Sequence, residues 1–191
     1  SINNFLSPLL PAGFYYKTFM WPSKLWMFYE YFIRKSAGLG RSPSKPDKDL
    51  YDHKYLHCDV IVVGGGISGI IAAKISAKKN LDTILIDDKP NLGGSTIYQD
   101  NDNFKINGQN SKNWLSKEID SLKNLKNLTI KTRTSLAAYH SYNYLLAREN
   151  LTDHLNLNER SGKIRQRLWK IRAKKVIIAT GSIERPLIFN N

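Results

Sequence analysis

From Gly64 to Gly69 the chain reads Gly-Gly-Gly-Ile-Ser-Gly, a match to the spacing G-x-G-x-x-G. Glycines so spaced suit a phosphate. Gly64 permits a tight turn, Gly66 leaves backbone bare for a pyrophosphate, and Gly69 lets a following helix pack close to the preceding strand. Ile67 and Ser68 fall at the start of that helix, whose free N–H groups and partial positive charge attract phosphate. Eighteen residues after Gly69 stands Asp87, an acid placed to accept hydrogen bonds from ribose hydroxyls. Asp88 is the neighbouring alternative, but the residue directly after a strand is the one expected to point into such a site. The same carboxylate would repel a 2′-phosphate, which disfavours NADP against NAD or FAD. No catalytic constellation accompanies these residues: there is no interpretable Ser/His/Asp spacing, and His53 and His57 have no third ligand nearby. Cys58 is the single cysteine, which excludes an internal disulfide framework, a zinc ribbon or an Fe–S cluster held by this segment. It is expected to be a small buried hydrophobe. No catalytic or metal-binding side chain is expected, so redox chemistry has to come from a bound cofactor.

These residues need strands and helices to position them, and the hydrophobic pattern supplies both. Val60-Ile61-Val62-Val63 is a continuous apolar run, as in a strand buried on both faces of a parallel sheet. After the glycine turn, Ile67, Ile71 and Ile75 recur every four residues, with Lys74, Lys78 and Lys79 off that row. Asn80 is suited to close the helix in a left-handed conformation. Thr83 to Ile86 reads as the second buried strand, completing a strand–turn–helix–strand unit. Residues 91–110 read as loop. Leu115, Ile119 and Leu122 mark another amphipathic helix, and Leu128-Thr129-Ile130 a third strand. Residues 135–175 alternate apolar and polar around a hairpin turn expected at Ser161-Gly162-Lys163. Val176 to Ala179 is expected to be a final buried strand.

Ahead of this lie two other regions. Residues 1–36 are crowded with aromatic rings and broken by Pro8, Pro11 and Pro22, so a helix is expected only after Pro22. There Leu25, Trp26, Tyr29, Phe32 and Ile33 recur at helical spacing. So many rings on so short an element must pack on something larger, and the segment reads as a docking arm. Residues 37–57, rich in Gly, Pro, Ser and charge, read as a linker. The dinucleotide-binding domain is expected over residues 58–191.

With 191 residues, 41% hydrophobic and 24% charged, the chain has the composition of a globular domain with an extension. No run approaches the ~18–20 apolar residues of a membrane-spanning helix, and the helix after Pro22 lacks the basic face of an interfacial anchor. No membrane partner is expected. The net charge of +13 is concentrated late, with eight Lys and Arg from Arg160 to Lys175 and no acid among them. Such a stripe can bind phosphate backbones. It can equally be a solvated strand edge or face an acidic neighbour, and no nucleic-acid motif accompanies it. No nucleic-acid partner is expected. A single cysteine and no secretory pattern point to the cytoplasm.

The run Val176 to Ser182, an apolar strand ending in Ala179-Thr180-Gly181, resembles a second fingerprint of flavoproteins related to the pyridine-nucleotide disulfide reductases. There the strand returns to the first sheet with its Thr180 and Gly181 backbone near the nucleotide, and Gly93-Gly94 belongs to the same likeness. The likeness extends further. Pro11-Ala12-Gly13-Phe14-Tyr15-Tyr16 through Pro22, Ala37-Gly38-Leu39-Gly40, Cys58-Asp59-Val60, Arg165 to Ala173 and Ala179 to Leu187 resemble the alpha subunits of the heterotetrameric sarcosine oxidase family. The resemblance implies a Rossmann-like FAD/NAD(P)-binding three-layer α/β domain with a β-meander, behind an aromatic-rich extension. It implies NAD at this site, with FAD the alternative, FMN between the alpha and beta subunits, and FAD on beta. It implies oxidation of sarcosine to glycine, electrons passing to oxygen and the one-carbon unit to tetrahydrofolate. Opine and proline dehydrogenase complexes have similar alpha subunits. Gly64, Gly66, Gly69, Asp87, Gly93, Thr180 and Gly181 carry the family's nucleotide positions. That family's alpha subunit is much longer, so the chain is expected to be an internal fragment, inactive alone. Its expected partners are the rest of its own polypeptide and the other subunits.

Overall fold

The computed structural model describes residues 22–38, 40, 45–98 and 104–182; the aromatic residues before Pro22 and the Ile183–Leu187 stretch lie outside them. The chain divides into two units, residues 1–48 and 49–191.

In the first unit, helix α1 spans Trp26–Ser36 behind a 3₁₀ turn at Ser23–Leu25. Its own neighbours one turn apart support it. Phe28 and Phe32 meet edge to face at 5.0 Å, and Glu30 pairs with Arg34. None of its residues is buried.

The second unit is built on a six-stranded sheet of order β5-β2-β1-β8-β7-β6. Its strands are β1 (Leu50–Val63), β2 (Thr83–Ile86), β5 (Leu128–Lys131), β6 (Thr134–His140), β7 (Tyr144–Asn150) and β8 (Ile164–Ile178). The pairs β1–β2, β1–β8 and β2–β5 are parallel; β6, β7 and β8 form an antiparallel meander. Over Val60–Val63 alternation along β1 sends side chains to two different cores. Val60 and Val62 face helices α2 (Ile67–Lys78) and α3 (Ser111–Lys123), meeting Ile70, Ala73, Trp114, Leu115 and Leu122. Cys58, Ile61 and Val63 face the meander, meeting Leu145, Ala147, Trp169 and Ile171. Helices, parallel sheet and meander are therefore three layers, as the resemblance implies. Between β2 and α3 come a 3₁₀ turn at Gly94–Tyr98 and a small hairpin, β3 (Lys105–Ile106) with β4 (Gln109–Asn110). Its turn is Asn107-Gly108, both at positive φ. Asn110 then caps α3, its side chain accepting from Lys112 N (3.0 Å).

Four expectations need correction. Residues 50–57 are not linker but the first half of β1, paired along β8 from Ile164 to Arg172. Their charge is what suggested a linker, yet Asp52 stands opposite Arg167 and accepts two hydrogen bonds from it, at 2.8 and 3.0 Å. Only the first residue of the Ile row of α2 packs on the core: Ile67 is half-buried against it, while Ile71 is 38% exposed and Ile75 52%. The buried face is Gly69, Ile70, Ala73, Ser76 and Ala77, because small side chains let the helix lie close on the sheet. The tight turn of the meander is Ser141–Asn143, where Tyr142 and Asn143 take left-handed φ without glycine. Gly162 instead ends a longer β7–β8 connection that contains α4 (Leu157–Arg160), with a capping box from Asn156 and Glu159. The last strand is not fully buried. Val176 and Ile177 are half-buried and Ile178 is 54% exposed. The remaining expectations of strands at Thr83–Ile86 and Leu128–Ile130 hold, as does Asn80 at φ 60°.

The basic run of β8 is no sheet edge either, since β8 lies between β1 and β7. Arg165 pairs with Asp49 (2.7 Å) and Asp153, Arg167 with Asp52, and Lys174 with Asp59 (2.7 Å). Arg160 pairs with Asp49 at 3.2 Å. These pairs hold the Asp59 and Asp52 carboxyls below the usual carboxylate range, mainly through hydrogen bonds from Lys174 and Arg167.

Candidate functional site

The glycine turn sits where β1 ends and α2 begins. Gly64 takes φ +105°, and a Cβ there would come within 2.7 Å of the Ala179 carbonyl carbon and 3.1 Å of Thr180 Cα. The end of β8 is thus packed against the turn, with Ala179 N–H donating to Val63 O (2.8 Å). A Cβ on Gly69 would run into the Gly64 carbonyl oxygen, so the close helix–strand packing expected of this glycine is present. Gly66 differs. Its φ of −73° is open to any residue, and a Cβ would meet nothing nearer than Gly94 Cα at 4.0 Å. Gly66 is the N-cap of α2, with no side-chain cap and no acid in the first turn. The backbone N–H groups of Ile67, Ser68 and Gly69 begin the helix beside an open glycine face.

Gly93 and Gly94 close on this turn from the loop after β2. Gly93 N–H donates to Gly65 O (2.7 Å). Its φ of +133° and the side chains of Leu115 and Ile97, which a Cβ would press at 2.6 and 2.8 Å, leave room for glycine only. Asp87 is buried at 8% exposure. Its Oδ2 accepts from Gly65 N–H at 2.5 Å and its Oδ1 from Lys89 N–H at 2.8 Å. Each oxygen keeps a lone pair for a ribose hydroxyl. Asp88, the other candidate, is exposed and pairs with Lys89 (3.5 Å). Thr180 and Gly181 are exposed, and nothing lies within 4 Å of a Cβ on Gly181.

The residues picked from spacing therefore converge, except that a Cβ on Gly181 would find nothing within 4 Å beyond its chain neighbours. Gly65 was not among them. A Cβ there would press Leu92 Cδ2 and, at 2.9 Å, Asp87 Oδ2, so the middle glycine of the run makes room for both Leu92 and the acid. Three consecutive glycines where the motif needs two were the available signal. Cys58 lies in the meander-side core, and burial together with Asp82 and Asp59 pushes its thiol up to about 12. A groove of about 390 Å³ runs along α3 past Ile97, Lys112, Leu115 and Ile119, and none of its lining residues belongs to the glycine turn. Among the described residues no His/Cys/Asp/Glu group could hold a metal ion, and no helix is long and apolar enough to cross a membrane.

A bare glycine turn between a parallel strand and a helix, with an acid ending the next strand, defines a dinucleotide-binding unit of Rossmann type. The chain belongs to the FAD dependent oxidoreductase family, whose model matches residues 59–154. It is 37% identical over 190 residues to the sarcosine oxidase subunit alpha of Rhizobium meliloti, covering 99% of this chain and 19% of that protein. It is 34% identical over 155 residues to the same subunit of Corynebacterium sp. strain U-96, covering 81% of this chain and 16% of that protein. The chain thus spans less than a fifth of the length of these relatives. Its fold is similar to L-proline dehydrogenase from P. horikoshii, with a TM-score of 0.55 at 23% identity over 79% of this chain and 28% of that one.

Proposed function

We propose that this chain forms the dinucleotide-binding portion of the alpha subunit of a sarcosine oxidase-like complex, and that its site holds NAD. The observation that carries the reading is the 37% identity over 190 residues to a sarcosine oxidase subunit alpha, a stretch far longer than any nucleotide motif. Bound here, the dinucleotide would supply redox chemistry that no side chain of the site offers. The protein's part is to bind and orient. Gly66 leaves its face bare for the pyrophosphate, and the first N–H groups of α2 favour its negative charge. Asp87 takes the ribose hydroxyls with the lone pairs that Gly65 and Lys89 leave, and its charge turns away a 2′-phosphate. Gly93, Gly94, Thr180 and Gly181 supply backbone around the turn.

In the whole complex the activity would be oxidative demethylation of sarcosine to glycine, with electrons reaching oxygen through FMN and FAD bound elsewhere. The other subunits and the remainder of a longer polypeptide are the partners in this reading. Exposed Met27, Phe28, Tyr31 and Phe32 on α1 support residues 1–36 as an arm that docks on them. A cytoplasmic setting goes with it, supported by one cysteine that is buried and free. A second reading puts FAD in this site, favoured by the match to the FAD dependent oxidoreductase family.

The test is to unfold the purified full-length protein and identify the nucleotide it releases. One NAD per copy of this chain is the expected result. FAD without NAD selects the second reading, and release of neither removes both. Oxygen uptake with sarcosine checks the complex; turnover of proline or an opine but not sarcosine moves the chain to a dehydrogenase complex.

A further inference from the structure

Asp87 is clasped by the bend between β5 and β6. Its N–H donates to the Lys131 carbonyl (3.0 Å), and its own carbonyl accepts from Thr134 N–H (2.7 Å). Between these two, Arg133 sits at φ +51°, a conformation that strains a residue with a side chain. Its N–H donates to Lys89 O (3.0 Å) and its carbonyl accepts from Asn150 N–H (2.9 Å). A strained bend has to be held from outside.

Lys131 provides a hold. It ends β5, a four-residue strand that among the described residues is bonded to the sheet only through β2. Its side chain, 16% exposed, reaches β7 and β8 instead. The ammonium lies 4.0 Å from the centroid of the Trp169 ring and 3.9 Å from Glu149 Oε1. Glu149 is itself oriented, since its Oε2 accepts from Trp169 Nε1–H at 2.6 Å. Burial pulls the Lys131 amine below the usual lysine range, and Glu149 opposes that pull. Arg167, which shares the Trp169 ring at 5.3 Å, is tied to Asp52 and does not replace it. The residue whose carbonyl receives Asp87 thus has its side chain anchored on Glu149 and Trp169 of the meander.

We propose that Lys131, held by Glu149 and Trp169, is a positioning residue for Asp87: it fixes the β5–β6 bend, and through it the discrimination for an intact adenosine ribose. This rests on the reading of Asp87 as the ribose acceptor. The Gly65 and Lys89 hydrogen bonds orient the carboxylate, while the bend sets where its backbone stands. The meander thus takes part in nucleotide recognition with no side chain of its own in the site.

The test measures binding of ADP, the moiety common to NAD and FAD, and of 2′-deoxy-ADP to the nucleotide-free full-length protein by calorimetry. The native protein is expected to favour ADP by about tenfold. Lys131→Met keeps the stem and removes the charge; it is expected to cut that preference to about two- to threefold, mostly by weakening ADP. Lys131→Arg is expected to restore it. Trp169→Phe keeps a ring but loses the N–H that orients Glu149, and is expected to reduce the preference in the same direction, which serves if Lys131→Met does not fold. An unchanged preference in the folded variants, whatever the loss of thermal stability, makes the cluster merely structural and overturns the proposal. A native protein indifferent to the 2′-hydroxyl overturns the Asp87 reading instead.

Discussion

Gly66 and Gly69 are the second and third glycines of the motif and do different work. Gly69 is required by the fold, because a Cβ would collide with the Gly64 carbonyl. Gly66 is not, because its φ and surroundings accept a side chain. Gly66→Ala is therefore expected to leave Tm within about 2 °C of native while weakening dinucleotide binding more than tenfold, since the methyl fills the place of the pyrophosphate. Gly69→Ala is expected to cost about 1–3 kcal/mol of stability through overpacking. Thermal unfolding and nucleotide titration on both variants separate the two roles. Normal binding by Gly66→Ala would mean that phosphate lies elsewhere.

Helix α2 shows how periodicity misleads for a single element. Ile67, Ile71 and Ile75 form a row by spacing, but only Ile67 packs on the core, while Ile71 and Ile75 are exposed. Gly69, Ala73 and Ala77 allow a closer approach, with Ile70 as the large side chain of the contact. Ile70→Ala is expected to cost about 2–5 kcal/mol by leaving a cavity beside Val60 and Val62. Ile75→Gln is expected to change stability by less than about 0.5 kcal/mol. Urea unfolding of the two variants checks this, and the reverse ranking would put the Ile row in the core. A similar disguise hid the first half of β1: Asp49 and Asp52 looked like linker charge, and together with Asp59 they are the counter-ions of β8.

Across the molecule, β1 and β8 join the parallel strands to the meander, and ion pairs fasten the two strands together along their length. The net charge of +13 therefore overstates how much of the β8 stripe is free to attract a polyanion. The pairing also makes stability depend on acid. The Arg167 hydrogen bond lowers the Asp52 pKa, the charges of Arg167, Lys54 and His53 add to this, and burial opposes it. The folded protein holds that proton less readily than the unfolded chain. The contribution is complete above the unfolded carboxyl's pKa of about 3.9 and drains as pH falls through the lower folded value. Arg167→Met is expected to cost roughly 1 kcal/mol at pH 7, with the gap to native narrowing below about pH 4. Urea midpoints across pH 3 to 7 measure it; a gap that widens in acid would contradict the assignment.

The nucleotide site could be read from residues because its chemistry is local. Glycine spacing, an apolar strand before it and an acid after the next strand all lie within 35 residues, from Val60 to Gly94, and each works through backbone geometry that neighbours in sequence dictate. What lay beyond that reading involves partners distant in the chain. The strand β1 extends back to Leu50 because β8, more than a hundred residues on, supplies the hydrogen bonds and the opposing charges. The direction in which α2 turns its isoleucines follows from how closely a sheet can approach it. Local spacing states what a segment is able to form; which face is buried and which charge is matched depend on contacts that exist only once the layers have packed.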